Sequence, residues 1–304
     1  MTIDVIIPTC NPGNELLQIL GNLERQTIKP NKIFIMNTIT GQCNVDVFNA
    51  TYKVSENIEI RHLESKDFDH ANTRNDGARL SNADYLLFLT QDAIPTDSHL
   101  LENLARNHDE NVIVSFGQQI ADKNNKLEYL ARAFNYKPQS YIKSEKDKKE
   151  MGIKVLFCSN ACAMYNRKAF WELNGFNSNS IFNEDMLFAY KVIKSGYSIA
   201  YESDAKISHT HHYTCWKVLN RYFDQGVSQK DNEKIFKEFS SLGEGQKQAK
   251  YIIGTLWKEH DYKNLVTFVA QSASKLVGFF LGKHYTCLPK GLCKKLSLNK
   301  NYWK

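Results

Sequence analysis

Four short apolar runs lie within the first 89 residues: "IDVIIP" (Ile3–Pro8), "KIFIMN" (Lys32–Asn37), Ile58–Leu63 and "ADYLLFL" (Ala83–Leu89). Runs of this length that barely alternate with polar residues read as strands buried on both faces, as in a parallel sheet. The residues between them carry helical signals. After the turn Asn11-Pro12-Gly13, "NELLQILGNLERQ" spaces Leu16, Leu17, Leu20 and Leu23 as a helix does, and "HANTRNDGARLS" is a helical segment that opens in polar residues. Strands alternating with helices in this way predict an α/β fold with a doubly wound, mostly parallel, Rossmann-like sheet.

The rest of the chain is less regular. A helix is expected over Leu100–Arg106 and a strand at "NVIVSFG"; Gln118–Ile153, polar and Lys-rich, reads as a long irregular surface excursion or acceptor-side insert. "CSNACAMYNRKAFWELNGF" gives a strand, a short helix and a Gly turn. "NEDMLFAYKVIKSG" gives a helix with Asn183 as its expected N-cap and two acids in its first turn, where the helix dipole favours them. "YSIAYESDAKISHTHHY" reads as two short strands ending in histidines, and the chain is helical and amphipathic from about Trp216. These signals divide it into a domain over 1–215, with halves at about 1–117 and 118–215, and a helical, basic region over 216–304.

Charge and cysteine use narrow the setting. Of the net charge of +6, residues 245–304 hold eleven Lys against two acids, hence +9, which leaves 6 − 9 = −3 for the body. A basic tail on a slightly acidic body implies an anionic surface for the tail alone. The seven cysteines form no CxxC pair, which suits a reducing, cytoplasmic compartment. The N-terminus lacks the basic and apolar regions of a signal peptide, and no apolar stretch reads as approaching the roughly 18 residues of a spanning helix.

Ligands of open α/β sheets bind beyond the carboxyl ends of the strands. Polar residues fall at such ends in Thr9-Cys10-Asn11, Asn37-Thr38, Thr90-Gln91-Asp92 and the histidines of "SHTHHY". The GxGxxG and GxxxxGK[ST] phosphate loops are missing, which argues against a Rossmann dehydrogenase or a P-loop enzyme. Asp92 has two readings at this point: a ligand to Mg²⁺ or Mn²⁺ on a diphosphate, or a turn residue capping backbone N–H groups. His209 and His211 share a face of an extended segment and can act together on a metal or phosphate, whereas His212 points away; the alternative is a solvated strand end. Acids in a first helical turn offset the dipole by default; a general base needs a carboxylate facing a cleft, and because Glu184 and Asp185 diverge by about 100° on a helix, only one of the two can do so. Arg74, with His70 and Asn72, can neutralise a diphosphate or serve as an ordinary salt-bridge residue.

Taken in order, "VIIPTCNPG", "FDHANTRNDGA", "FLTQDAIP", "NGFNSNSIFNEDMLFAYKVIKSGY", "SHTHHY", "RYFDQG" and the closing "LGKHYTCLPKGLCKKLSLNKNYW" resemble the GT-A fold family 2 glycosyltransferases. The similarity is closest to bacterial rhamnosyltransferases of cell-wall and O-antigen assembly. The resemblance implies an inverting transfer of L-rhamnose from a nucleotide donor, dTDP-linked, to a hydroxyl of a growing, lipid-diphosphate-linked polysaccharide. It places Thr90-Gln91-Asp92 on the family's DxD metal motif, with Thr90 in place of the first aspartate and Asp92 as the retained ligand to a divalent cation, Mn²⁺ or Mg²⁺. His209 or His211 is then the supplementary ligand. Thr9, Asn11 and Asn37 match the nucleoside-binding positions; His70, Arg74 and Asn75 match the segment lining the diphosphate, and Gln91 adjoins it. Asp185 matches the catalytic base, with Glu184 as second choice.

Other readings stay open at this point. The donor can be another hexose carried on UDP, or the domain can be a non-catalytic binding or assembly subunit, which Thr90 keeps in play. Nucleic-acid binding ranks last, because the tail lacks interleaved aromatics or a helix-turn-helix. Leu265, Phe268, Val269, Leu276, Phe279 and Phe280 give the tail an apolar face ringed by lysines. That face lies on an anionic membrane as a peripheral contact or packs on the catalytic domain or a second subunit of a homo-oligomer.

Overall fold

The computed structural model describes residues 1–41, 43–239 and 243–303. Its first half is laid out as the apolar runs predict. Strands β1 (Ile3–Thr9), β2 (Lys32–Ile39), β3 (Ile58–Glu64) and β4 (Tyr85–Leu89) pair in parallel in the order β3-β2-β1-β4. Helix α1 (Asn14–Glu24) buries Leu16, Ile19, Leu20 and Leu23, and Leu17 faces out. Helix α2 (Val45–Tyr52), which the sequence reading missed, starts on an Asn44 side chain that accepts from the Val47 N–H. Helix α3 (His70–Arg79) is capped by Asp69, whose carboxylate accepts from the N–H groups of Ala71 and Asn72. Helices α1 and α2 cover one face of the sheet and α3 the other.

The second half departs from the expectation in instructive ways. After β5 (Ile94–Pro95) and α4 (Leu100–Ala105), strand β6 runs over Val112–Ile120. The segment read as an irregular excursion instead holds the end of β6, helix α5 (Lys126–Asn135), strand β7 (Tyr141–Lys143) and helix α6 (Lys148–Met151). Its lysines misled the reading. Lys143 is fully buried, its ammonium donating to the carbonyls of Lys154 and Phe157 and lying over the Phe116 ring.

Strand β8 (Cys162–Asn166) and helices α7 (Arg167–Glu172) and α8 (Glu184–Lys194) follow. Strand β9 (Ser198–Ser208) is one strand rather than two, and its register against β6 shifts where Gly117–Glu202 gives way to Gln118–Lys206. Strands β6 and β9 pair in parallel, while the pairings of β8, and those of β5 and β7 with β9, are antiparallel, so this side of the sheet is mixed. Asn183 does not cap α8 with its side chain. Its backbone is left-handed (φ 65°) and its amide donates to Ser228.

The C-terminal helices are α9 (Cys215–Asp231), α10 (Glu233–Glu238), α11 (Glu244–Lys258), α12 (Tyr262–Lys283) and α13 (Lys290–Leu296). They share small cores with the sheet-bearing body: Ile181 packs among Phe223, Val227 and Trp303, and Leu130 among Ile252, Leu256 and Phe268. The 22-residue α12 is long and apolar enough to cross a membrane by length and composition, contrary to the sequence expectation. Thr, Ser and Gln interrupt its apolar run, but Lys275 is its one charged residue between Lys263 and Lys283. Its apolar residues serve two faces. Leu265 and Phe268 join the core around Leu130, whereas Val269, Leu276 and Phe280 are exposed.

Helices α9 and α12 touch backbone to backbone. A side chain at Gly278 would overlap the carbonyl of Leu219, and one at Gly282 that of Phe223. Gly278→Val or Gly282→Val is therefore expected to cost about 1–3 kcal/mol by overpacking, read as a lower Tm. A second tie fixes the turn after α7: the Asn75 amide donates to the Phe176 carbonyl at 2.9 Å and accepts from the Phe176 N–H at 3.0 Å, both buried. Asn75→Ala would strand both groups. We expect a loss of about 1–3 kcal/mol for each unpaired group in denaturant titrations, with nucleotide affinity unchanged.

Candidate active site

Side-chain contacts link the carboxyl ends of β1, β2 and β4 to one another, Thr9 with Asn37 and Gln91 with Cys10. Asp92 and His209 link the loop after β4 to the end of β9, and Asn160 and Glu184 link the residues before β8 to the start of α8. Asp92 sits in the loop after β4, with its side chain about a third exposed. His209 Nε2 lies 3.3 Å from one Asp92 oxygen and His211 Nδ1 3.7 Å from the other. These ligand atoms all fall within 4.8 Å of one another, the arrangement that could hold a metal ion. Thr90 lies beside the carboxylate and helps keep it ionised, although its buried hydroxyl makes no bond of good geometry.

The protonation pattern shows what this cluster needs. Gln119 donates through Nε2 to Ser159 and presents Oε1 to His209 Nδ1 at 2.9 Å, so Nδ1 carries the proton. His209 Nε2, buried, faces the Asp92 carboxylate, which, against the opposing effect of burial, is held well below the usual range by His209, with smaller contributions from Thr90 and His211. Burial and His209 push His211 down to about 3, so it is neutral near pH 7. Two imidazoles and a carboxylate whose ligand atoms lie this close can take a cation between them, and a histidine whose other nitrogen donates to an amide oxygen is ordered as a metal ligand is. The residues fit a divalent ion.

The loop carrying the cluster is fixed from outside. The Asn125 side chain donates to the His211 carbonyl at 2.7 Å, and Gln271 of α12 donates to that of Tyr213 at 3.1 Å.

Helix α8 presents the second group. Glu184 is 8% exposed and Asp185 more open. Arg74 Nη1 stands 3.3 Å from Glu184 Oε1 and also donates to the His70 carbonyl. Asn160 reaches both acids, with its side chain donating to Glu184 and its backbone N–H to Asp185, each at 3.3 Å. Burial, then the neighbouring Glu184 charge, raises Asp185 to about 7, whereas Arg74 and His70 outweigh burial to hold Glu184 below its usual value. Asp185 is thus a carboxylate able to take and return a proton near neutrality. Glu184 stays charged and occupied.

Several residues expected to meet a donor are instead spent on the protein. Thr9 and Asn37 are buried, Thr9 donating to Asn37, whose amide in turn donates to His62 Nδ1. Gln91 accepts from the Cys10 N–H at 2.7 Å and donates to its carbonyl, so it ties the loop after β1 to the loop after β4. Asn75 is committed to Phe176, and Arg74 to Glu184. Asn11 is exposed in a left-handed conformation (φ 46°) and accepts from Thr40. His70 lies on the first turn of α3 against Phe68, and burial lowers its proton affinity.

A second cation, which the sequence reading passed over, stands near these residues. Arg221, in "RYFDQG" on α9, stacks over Phe182 at 4.8 Å, donates to the Tyr213 hydroxyl at 3.4 Å, and lowers the proton affinity of both His70 and His211 by its charge. No carboxylate stands within ion-pair distance of it among the described residues. Its motif held the signal, since Arg221 is the one basic residue of that stretch.

The glycosyl transferase family 2 pattern matches residues 4–174. The chain is 37% identical to the O-antigen chain rhamnosyltransferase RfbN of Salmonella typhimurium, covering all of this chain and 96% of that protein. It is 36% identical to the O-antigen chain rhamnosyltransferase WbaN of Salmonella anatum, over 98% of this chain and 95% of that one. Among solved structures, the mannosyltransferase PcManGT of Pyrobaculum calidifontis, in complex with GDP-Man and Mn²⁺, shares the fold with a TM-score of 0.61 at 13% identity, over 94% of this chain and 86% of that one. With its sheet, its cleft and its full-length relatives in agreement, the chain belongs to glycosyl transferase family 2 and has the GT-A fold.

Proposed function

We propose that this enzyme transfers L-rhamnose, with inversion, from a dTDP-linked donor to a hydroxyl of a growing, lipid-diphosphate-linked cell-surface polysaccharide. The observation that carries the reading is the presence, at the ends of the sheet strands and of α8, of a cluster that can hold a cation, Asp92–His209–His211, and of a carboxylate raised toward neutrality, Asp185. The full-length likeness to O-antigen rhamnosyltransferases supports the choice of sugar and acceptor class.

Asp92, His209 and His211 would hold the divalent ion; two imidazoles suit Mn²⁺ better than Mg²⁺, which prefers oxygen and water. When bound, such an ion supplies positive charge to the donor diphosphate. Asp185 accepts the proton of the acceptor hydroxyl as that oxygen attacks the anomeric carbon. The bond from that carbon to the diphosphate oxygen breaks on the opposite face, and the nucleoside diphosphate leaves with the electron pair. Arg221 stabilises the charge that builds on it. Residues 1–215 carry this chemistry together with Arg221 of α9.

The exposed face of α12 supports a cytoplasmic enzyme docked on the membrane that holds its acceptor. Val266 (70% exposed), Val269, Leu276 (73%) and Phe280 (62%) form one stripe, extended by Ile253 and Trp257 of α11 and flanked by exposed Lys258, Lys263, Lys294 and Lys295. Apolar side chains ringed by lysine match an anionic bilayer, and seven free cysteines suit its cytoplasmic side.

Product release from a panel of nucleotide sugars is expected to show dTDP freed from dTDP-rhamnose and little UDP from UDP-hexoses. Asp185→Asn should lower kcat by about 10²–10⁴-fold with donor affinity kept, and Asp92→Ala should abolish Mn²⁺ binding in calorimetry. Wild-type transfer by both variants would sink the site assignment. The protein should float with phosphatidylglycerol vesicles and not with pure phosphatidylcholine, and Leu276→Asp/Phe280→Asp should not float at all. A soluble dimer broken by the same double substitution would show that a second copy covers the face instead.

A further inference from the structure

The pairing of adjacent acids at the head of α8 goes beyond the identity of the base. Both side chains are drawn into the protein, and two anions side by side in a poorly hydrated place repel each other. The structure resolves this with unequal partners. Glu184 Oε1 receives Arg74 Nη1 and the Asn160 side chain, each at 3.3 Å, whereas Asp185 receives only backbone N–H groups, from Asn160 at 3.3 Å and Met186 at 2.8 Å. Arg74 is 5% exposed and is held in place by the His70 carbonyl, so it cannot swing to solvent without leaving Glu184 unpaired.

We propose that Arg74, Glu184 and Asn160 are positioning residues that divide the labour of the two acids, making Glu184 a permanent anion and leaving Asp185 as the proton acceptor. The proposal rests on the transferase reading for the use of that proton, but not for the electrostatics.

The other groups around Asp185 leave no rival. Cys158 and Tyr165, on the β8 side, are buried and keep their protons, the thiol being pushed up to about 12. Burial lowers the proton affinity of His70, against the opposing pull of Glu184. The Lys143 ammonium lies beyond Cys158 and is occupied by the carbonyls of Lys154 and Phe157. The remaining charges that face Asp185 are Glu184, which raises its proton affinity, and Arg74, which lowers it. Asn160 is itself braced: the Tyr165 hydroxyl donates to its side-chain oxygen at 2.7 Å, so its N–H and its NH₂ are both aimed at the acids.

The signs of the expected effects follow. Removing the negative charge of Glu184 relieves repulsion, so Asp185 should ionise at lower pH. Removing Arg74 leaves two acids without a counter-charge, so Asp185 should ionise at higher pH. A residue that merely keeps the fold would move neither.

The test is a titration of the full-length protein labelled with carboxyl-¹³C aspartate, with the Asp185 resonance assigned by its loss in Asp185→Asn. We expect the Asp185 midpoint to fall by about one pH unit or more in Glu184→Gln, to rise in Arg74→Met, and to stay near its original value in Arg74→Lys. Glu184→Gln keeps the shape and the acceptor oxygen, so it covers the case in which Arg74→Met fails to fold. A midpoint unmoved in Glu184→Gln, or moved the same way in both variants, overturns the proposal. Transfer assays separate this from the wider reading: Asp185→Asn working at the wild-type rate would remove the base role, whatever the titration shows.

Discussion

One cluster of rings holds the two halves of the cleft in register. Phe88 of β4, Tyr165 of β8, Phe170 of α7, Phe176 of the following turn and Phe188 of α8 meet edge to face or tilted, with centroids 5.0–6.0 Å apart. Each contact adds to ordinary burial and restricts the angle at which the next element arrives. Phe88 stands four residues before Asp92, and Phe188 three residues after Asp185, so the loop that carries Asp92 and the head of α8 are set by the same packing. Tyr165 extends it into the polar region through its hydroxyl, which orients Asn160. The floor of the cleft is therefore apolar and rigid, and its charged groups are carried on short leads from it.

Above that floor, the charged groups are sorted by what already satisfies them. Arg74 and Glu184 neutralise each other inside the protein. His209 has one nitrogen on Gln119 and the other turned to Asp92. Arg221 has its guanidinium on aromatic faces rather than on a carboxylate, which leaves its charge to act on an anion. Charge left unspent in this way is available to a ligand, as the proposed donor diphosphate would require.

The sequence made the architecture legible where burial imposes a period. The first four strands and α1 follow from apolar runs and leucine spacing, and Asp92, Asp185 and the two histidines follow from their places at strand and helix ends. Asparagine and glutamine were harder, because an amide that grips a ligand and one that grips the backbone look alike in a string of letters. Asn37, Asn75 and Gln91 were all read as donor contacts, and all three bind the protein itself. Composition misled at Gln118–Ile153, where a lysine-rich look hid a buried lysine and a strand. Arg221 was invisible for the opposite reason: its role depends on Phe182 and Tyr213, which no spacing rule brings to its side.

The glycine contact between α9 and α12 has a mechanical side. Side chains normally form a compliant layer between helices, in which rotamers adjust and small displacements are absorbed. At Gly278 and Gly282 that layer is missing, and main chain bears on main chain. A push on the outer helix is delivered undamped to the inner one, which carries Arg221, while Gln271 delivers the same push to the backbone two residues beyond His211. The helix pair is a stiff lever with its long arm on the outer surface and its short arm beside Arg221 and the loop of His211.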